Sequence, residues 1–243
     1  MKEITKTDLN AIKEVSKLIL FYPIEDCLTS IPTIITHPFA NSSIILLNKD
    51  EMIDITIKEN EEKWKNSMIQ RINNSNNIID IYMLINKPYK LFWFDSIKKF
   101  LSEKDYGELL ADVWISSENP NQDVNVSLNK CINLFKKANI NYLMTKEDKK
   151  VFDNIPDIIT LYRGVSTGRN PYGLSYTKSL EKASWFQNRF GEGYIITLKI
   201  KKEDIFCYFN TRNEDEYVVN TNNYKTEIKN QIPKYKDILK SDD

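Results

Sequence analysis

The chain has 243 residues, enough for one large domain or two small ones with an apolar core of their own. Its 34 basic and 34 acidic residues cancel, so only a local basic patch remains as an electrostatic route to nucleic acid. The three cysteines, Cys27, Cys131 and Cys207, are scattered and accompany a single histidine. This composition favours neither a disulfide framework, a metal site nor a Cys–His dyad.

The hydropathy pattern gives no sign of a membrane segment. No apolar run approaches the ~20 residues that span a bilayer, and the polar start MKEITKTDLN differs from a signal peptide. We therefore expect a cytoplasmic protein, or one delivered into a host cytoplasm, with no membrane partner.

The first part of the chain predicts mainly helices. The segments SEKDYGELLADVW, SLNKCINLFKKA and TKEDKKVF have helical apolar spacing and begin with the candidate caps Ser102, Ser127 and Thr145. KEVSKLILFY is also helical in pattern. PTIITHPF and SSIILL fit short strands and buried helical turns equally well, and His37 in the first of them is expected to pack a turn.

From Thr160 onwards the pattern changes to strands, with TLYRGV, GYIITLKI, IFCYF and EYVVN as candidates. The proline of DNIPDI ends the preceding helix. We therefore predict an α+β protein with a mainly helical region over 1–153 and a compact region over 154–243.

One helix is predicted inside the strand-rich region, over SLEKASWFQNRF with Ser179 as its cap. Its aromatic residues Trp185, Phe186 and Phe190 are expected to form a core face, with one of them able to border a ligand pocket.

Three short pieces of this region carry candidate chemistry: Tyr162-Arg163-Gly164, Ser175-Tyr176-Thr177 and Glu214-Asp215-Glu216. Taken singly, each is more typical of a surface strand or an acidic turn. In this order they resemble the signature of the arginine–serine–glutamate class of mono-ADP-ribosyltransferases, which includes bacterial toxins and phage-encoded enzymes. The resemblance covers residues 158–220. More loosely, WISSENPNQDVNVSLNKCINLFKKA is similar to the helical lead-in of some members.

The resemblance implies an ADP-ribosyltransferase-like split β-sandwich over 154–243, with NAD⁺ as co-substrate and no metal. The residues that it assigns to NAD⁺ are Arg163, Gly164, Ser175, Thr177 and Glu216. A guanidinium fork suits the pyrophosphate, and a glycine lets the backbone approach the nicotinamide amide. Two residues apart on a strand, the Ser175 and Thr177 hydroxyls share one face.

The catalytic residues implied by the resemblance are Glu216, Glu214, Arg163 and Ser175. Glu216 would stabilise the positive charge that forms on the ribose, as in glycoside hydrolysis. Glu214 would face the acceptor and take its proton, which makes an arginine side chain the first expectation for the acceptor.

The expected activity is thus transfer of ADP-ribose to a macromolecule, and a protein is the first expected acceptor. Such a transfer is a glycosyl (pentosyl) transfer, and the enzymes are also grouped with nucleotidyltransferases. Transfer to nucleic acid and hydrolysis of NAD⁺ remain open, as does a non-enzymatic helical interaction protein with a degenerate transferase fold. A toxin or a phage or bacterial effector would also have an inhibitor or antitoxin protein as partner.

One departure concerns the connection between Arg163 and Ser175, only twelve residues apart. Many toxin members have a longer connection that contains a helix, whereas STGRNPYG predicts a loop here. Arg169 in this loop lies within reach of a phosphate, but we expect it to be a solvated loop residue.

Overall fold

A computed structural model describes residues 5–27, 29, 31–48 and 50–233; the first four residues of the polar start therefore lie outside the described residues. Helices and antiparallel sheets make this an α+β protein. The chain divides into two compact units, Met1–Tyr106 and Gly107–Asp243. Within the described residues, no helix is long and apolar enough to cross a membrane.

The first unit contains helices and short strands. Its helices are α1 (Leu9–Leu20), α2 (Lys58–Asn74), α3 (Ile78–Tyr82) and α4 (Lys90–Ile97), and its strands are β1 (Glu25–Asp26), β2 (Ile34–His37), β3 (Ala40–Ser42), β4 (Ile44–Asn48) and β5 (Glu51–Asp54). The two ambiguous segments are thus strands, β2 and β4. His37 is buried and its Nδ1 accepts a hydrogen bond from the Phe39 amide, so it packs a turn as predicted.

The second unit contains the remaining elements and most of α5 (Glu103–Ser116), which begins in the first. Its helices are α6 (Leu128–Lys137), α7 (Ile140–Leu143), α8 (Lys146–Asp153), α9 (Leu180–Asn188) and α10 (Lys225–Gln231), and its strands are β6 (Ile158–Val165), β7 (Ser175–Thr177), β8 (Tyr194–Lys201), β9 (Ile205–Phe209) and β10 (Glu216–Val219). The hydroxyls of Ser102, Ser127, Thr145 and Ser179 accept the bonds expected of helix caps.

The five strands of this unit form one antiparallel sheet in the order β8-β6-β7-β10-β9. β6 pairs with β8 along its whole length, whereas it pairs with β7 at a single position, Tyr162 with Thr177. Ile196, Leu198 and Ile200 alternate with exposed residues along β8 and are buried. Each such apolar side chain contributes about 1.5–3 kcal/mol, so this core fixes the sheet.

The division between the units differs from the boundary predicted at residues 153/154. The helix before DNIPDI does end at Asp153, but the chain divides after Tyr106. The reason is that α7 and α8 lie against β9, and Phe135 of α6 stacks on Phe206 of the same strand at 5.7 Å. Helices that look separate in sequence therefore complete the core of the sheet.

The prediction that the aromatic residues of the α9 segment form a core face was wrong, although Phe186 and Phe190 do line a cleft of this unit. Trp185 is 59% exposed and Phe190 is 49% exposed, while Ala183 is the buried residue of α9. The helix lies so close to the sheet that the carbonyl of Ala183 contacts Gly164, and only a small residue fits there. Trp185, two positions on, points away from that contact.

Candidate active site

All six candidate residues line a single cleft in the second unit: Arg163, Gly164, Ser175, Thr177, Glu214 and Glu216. The empty space in this cleft is about 880 Å³ when the solvent-filled region at its opening is included. The sheet brings the residues together because Thr177 pairs with Tyr162 on one side and with Glu216 on the other.

Glu216 begins β10 and is partly buried. Its Oε1 accepts a hydrogen bond from Nε1 of Trp114 at 3.0 Å, and the Ser175 hydroxyl also donates to the carboxylate. Burial raises the pKa of Glu216 above its ordinary value, and these two bonds oppose that rise. The bonds thus hold the carboxylate in one position and favour its charged form.

Asp215, between the two candidate glutamates, anchors their turn. Its φ of 55° lies in the left-handed region, which Asp tolerates better than most residues. Its buried carboxylate accepts a hydrogen bond from the Tyr208 hydroxyl at 2.7 Å, and its amide donates to Oδ1 of Asn210 at 3.1 Å. With Asp215 held inward, Glu214 and Glu216 both line the cleft.

Arg163 has a structural role in addition to the NAD⁺-binding role predicted for it. Its Nη1 donates to the Ser175 carbonyl and its Nη2 to the Asn170 carbonyl, each at 2.9 Å. The guanidinium therefore ties β6 to β7 where their pairing has ended. Its Nε–H is buried with no hydrogen-bond partner among the described residues, and burial lowers the pKa of Arg163, although an arginine remains charged.

Ser175 is oriented by Asn121, a residue that the sequence analysis did not single out. Nδ2 of Asn121 donates to Oγ of Ser175 at 2.8 Å, and its Oδ1 accepts from the Leu174 amide at 2.6 Å. Ser175 Oγ thus accepts a bond from Asn121, while its own hydrogen is available for the bond to Glu216. Trp114 and Asn121 both lie in the segment likened to a helical lead-in, whose pattern indicated a helix but not these contacts.

Gly164 and Thr177 also have structural duties. A Cβ on Gly164 would lie 2.0 Å from the Ala183 carbonyl oxygen, so glycine is required for packing there, whatever contact it makes with a ligand. Oγ1 of Thr177 accepts from the Ser179 amide at 3.2 Å and so leads the chain into α9. Ser175 and Thr177 both line the cleft.

The positive charge of the cleft comes from arginine. Only five of the 34 basic residues of the chain are arginines, and four of these line the cleft: Arg163, Arg169, Arg189 and Arg212. Arg169 is therefore not the solvated loop residue that we expected; it is half-buried and lies 4.3 Å from the ring centre of Phe190. The scarcity of arginine was a sequence signal that could have indicated these positions.

Among residues 5–27, 29, 31–48 and 50–233, no group of three or more His, Cys, Asp or Glu side chains could hold a metal ion. Comparisons of the chain with protein-family models, with curated proteins and with solved structures give no match.

Proposed function

We propose that this chain is a mono-ADP-ribosyltransferase that transfers ADP-ribose from NAD⁺ to a macromolecule. The observation that carries the proposal is the meeting of Arg163, Ser175 and Glu216, from three different strands, in one cleft. Three short motifs that matched by chance would have no physical reason to share a cleft with the glutamate already hydrogen-bonded to the serine.

The sheet supports the finer assignment of an ADP-ribosyltransferase-like split β-sandwich. β6 and β7 pair at one position only, so the sheet opens there into a β8-β6 part and a β7-β10-β9 part. Arg163 bridges the opening through its bonds to the Ser175 and Asn170 carbonyls. The separation of β6 from β7 at this point leaves room for a ligand beside the ends of these strands.

Glu216 supplies the electrostatic part of the proposed reaction. The bond between C1′ of the nicotinamide ribose and the nicotinamide nitrogen breaks, and its electron pair leaves with nicotinamide. Positive charge builds up on the ribose, and a carboxylate hydrogen-bonded to the 2′-hydroxyl stabilises it. The bonds from Trp114 and Ser175 favour the charged form of Glu216 and hold its carboxylate in place for this task.

Glu214 is the proposed acceptor-side residue. An acceptor nitrogen that attacks C1′ must lose a proton, and a partly buried carboxylate on the same cleft can take it. Arg212 already lies beside Glu214, with Nη1 3.9 Å from Oε1. This position therefore accommodates a guanidinium, the group that an arginine acceptor would bring.

Labelled NAD⁺ incubated with the protein and a cell lysate tests the function. We expect label on macromolecules that protease removes and nuclease does not. Label removed by nuclease alone would indicate a nucleic-acid acceptor, and release of free ADP-ribose without any transfer would indicate a glycohydrolase. Absence of nicotinamide release under all conditions would contradict the proposal.

The role of Glu214 is tested by Glu214→Gln. We expect transfer to the acceptor to fall by about a hundredfold, since a general base is worth about 10²–10⁴ in rate. Hydrolysis of NAD⁺ by water should fall much less, because water needs little help once the ribose carries its charge. Equal losses in the two reactions would assign Glu214 to the NAD⁺ site instead.

A further inference from the structure

The distribution of basic residues in the cleft calls for a physical reason. Four of the five arginines line it, and no lysine among the described residues does, although lysine supplies nearly all other positive charge of the chain. Charge alone would be provided equally well by lysine. Arginine differs in its planar fork, which binds phosphate oxygens in pairs, and in its ability to stack on aromatic rings.

The four arginines are not equally available. Arg163 is bonded to the carbonyls of Ser175 and Asn170, and Nη2 of Arg212 donates to the Ser117 carbonyl at 3.1 Å. Arg212 also faces the carboxylate of Glu214. These two guanidiniums are therefore partly engaged before any ligand binds.

Arg169 and Arg189 are different. In the described part of the chain, neither guanidinium has a carboxylate partner or donates a hydrogen bond. Both instead lie near the ring of Phe190, with ring-centre distances of 4.3 Å for Arg169 and 5.0 Å for Arg189. Two positive charges thus share one half-exposed ring, with their hydrogen-bond donors free.

We propose that Arg169 and Arg189, positioned by Phe190, form the diphosphate subsite of the cleft. The charges match, because two guanidiniums would balance the two negative charges of the diphosphate bridge of NAD⁺. Stacking on Phe190 orients both forks without consuming their donors. Arg163, to which the resemblance assigns the diphosphate, then serves mainly to tie the strands. The inference rests on the proposed function for the identity of the nucleotide, NAD⁺.

Calorimetry with adenosine, AMP and ADP tests the subsite without any catalysis. We expect the wild-type chain to bind ADP more tightly than adenosine, with an affinity that falls as salt increases. The double variant Arg169→Gln/Arg189→Gln should lose about a hundredfold in ADP affinity, at roughly tenfold for each charged hydrogen-bond partner. Its affinity for adenosine should change less than about threefold.

Arg71→Gln is the matched control, because Arg71 is the fifth arginine and lies exposed on α2, outside the cleft. It removes the same charge and should leave ADP affinity unchanged. Arg189→Lys should give an intermediate loss, since it keeps the charge and loses the fork. Wild-type ADP affinity in the double variant, or no preference for ADP over adenosine in the wild type, would overturn the subsite.

The two proposals fail in different ways. A wild-type chain that binds ADP through Arg169 and Arg189 but never releases nicotinamide would contradict the transferase proposal and keep the subsite. A double variant that binds ADP normally while the wild type cleaves NAD⁺ would contradict the subsite and keep the transferase.

Discussion

The floor and the rim of the cleft are built on opposite principles. The floor, formed by Trp114, Asn121, Arg163, Ser175 and Glu216, is held by hydrogen bonds within the protein before any ligand arrives. The rim, formed by Arg169, Arg189 and Phe190, has half-buried or exposed side chains whose charges are unpaired among the described residues.

In the proposed reaction, this difference would separate the groups that act on the transition state from the groups that bind the ligand. Groups that stabilise a transition state work best when they are already oriented, since no reorganisation is then needed as charge develops. Groups that attract a charged ligand gain from exposure, because their donors are free until the ligand arrives. We therefore expect changes in the floor to affect turnover or folding, and changes in the rim to affect affinity.

The largest effect is expected from Glu216→Gln. Glutamine keeps the volume and can still accept the Trp114 bond, but it removes the charge that would face the ribose in the proposed reaction. Loss of such a contact lowers the rate of nicotinamide release by a hundredfold or more. Calorimetry should show ADP affinity within about threefold of wild type. Turnover near the wild-type rate would remove Glu216 from the reaction.

The stability of the same variant gives an independent check. Because burial raises the pKa of Glu216, ionisation of this side chain disfavours the folded state, and the free energy of unfolding falls as pH rises through the raised pKa. Glu216→Gln should therefore be as stable as the wild type at neutral pH, or more so, in urea unfolding. A large loss of stability would mean that the charge serves the fold.

Arg163→Lys and Arg189→Lys form a matched pair across the two regions. Lysine cannot reach the Ser175 and Asn170 carbonyls together, so Arg163→Lys should lower the free energy of unfolding by about 2 kcal/mol. Arg189→Lys should leave the urea midpoint unchanged. Equal midpoints for the two variants would show that Arg163 does not tie β6 to β7.

Asn121→Asp tests whether the floor acts through the orientation of Ser175. An aspartate can still accept the Leu174 amide bond, but it cannot donate to Ser175 Oγ. The Ser175 hydrogen would then turn towards the introduced carboxylate and away from Glu216. We expect kcat to fall about tenfold, with KM for NAD⁺ within about threefold.

Asn125→Asp is the control for this change, since Asn125 is exposed in the same segment and lies outside the cleft. It introduces the same charge and should leave both kinetic constants unchanged. A rise in KM with unchanged kcat in Asn121→Asp would place Asn121 among the binding groups.

The smallest effect is expected from Trp114→Phe, and it should appear in the pH profile. The Trp114 bond stabilises the Glu216 carboxylate, so its loss raises the pKa of Glu216 further. In the proposed reaction the carboxylate is the active form, and the acid limb of nicotinamide release should therefore move to higher pH. A uniform loss of rate at all pH values would indicate a packing role for Trp114 instead.

Much of the second unit could be predicted from local patterns. The alternation in GYIITLKI predicted β8 with Ile196, Leu198 and Ile200 inward, and the structure confirms it. Ser127 and Ser179 were recognisable as caps because a cap bond joins residues three positions apart. The structure brings Arg163, Ser175 and Glu216 together, but their roles in a reaction remain predictions.

The contacts that complete the floor could not be predicted in this way. The hydrogen bond from Trp114 to Glu216 joins residues 102 positions apart, and the bond from Asn121 to Ser175 joins residues 54 positions apart. Bonds between residues so far apart in the chain produce no periodic pattern in the sequence. The rim was misjudged for a related reason. Helical spacing groups Trp185, Phe186 and Phe190 as a face, but only the approach of Ala183 to Gly164 decides which face is buried.

The sequence by itself predicted most of the longer helices and strands of the second unit, because caps, breakers and apolar periods act within a few residues, but it did not predict the short helices α7 and α10. The tertiary structure decided the order β8-β6-β7-β10-β9, which sets Thr177 between Tyr162 and Glu216. It also decided that Arg163 is bonded, whereas the donors of Arg189 are free within the described part of the chain. Strand pairing and side-chain hydrogen bonds depend on which distant segments come into contact. Those contacts are determined by the burial of apolar side chains in the core as a whole.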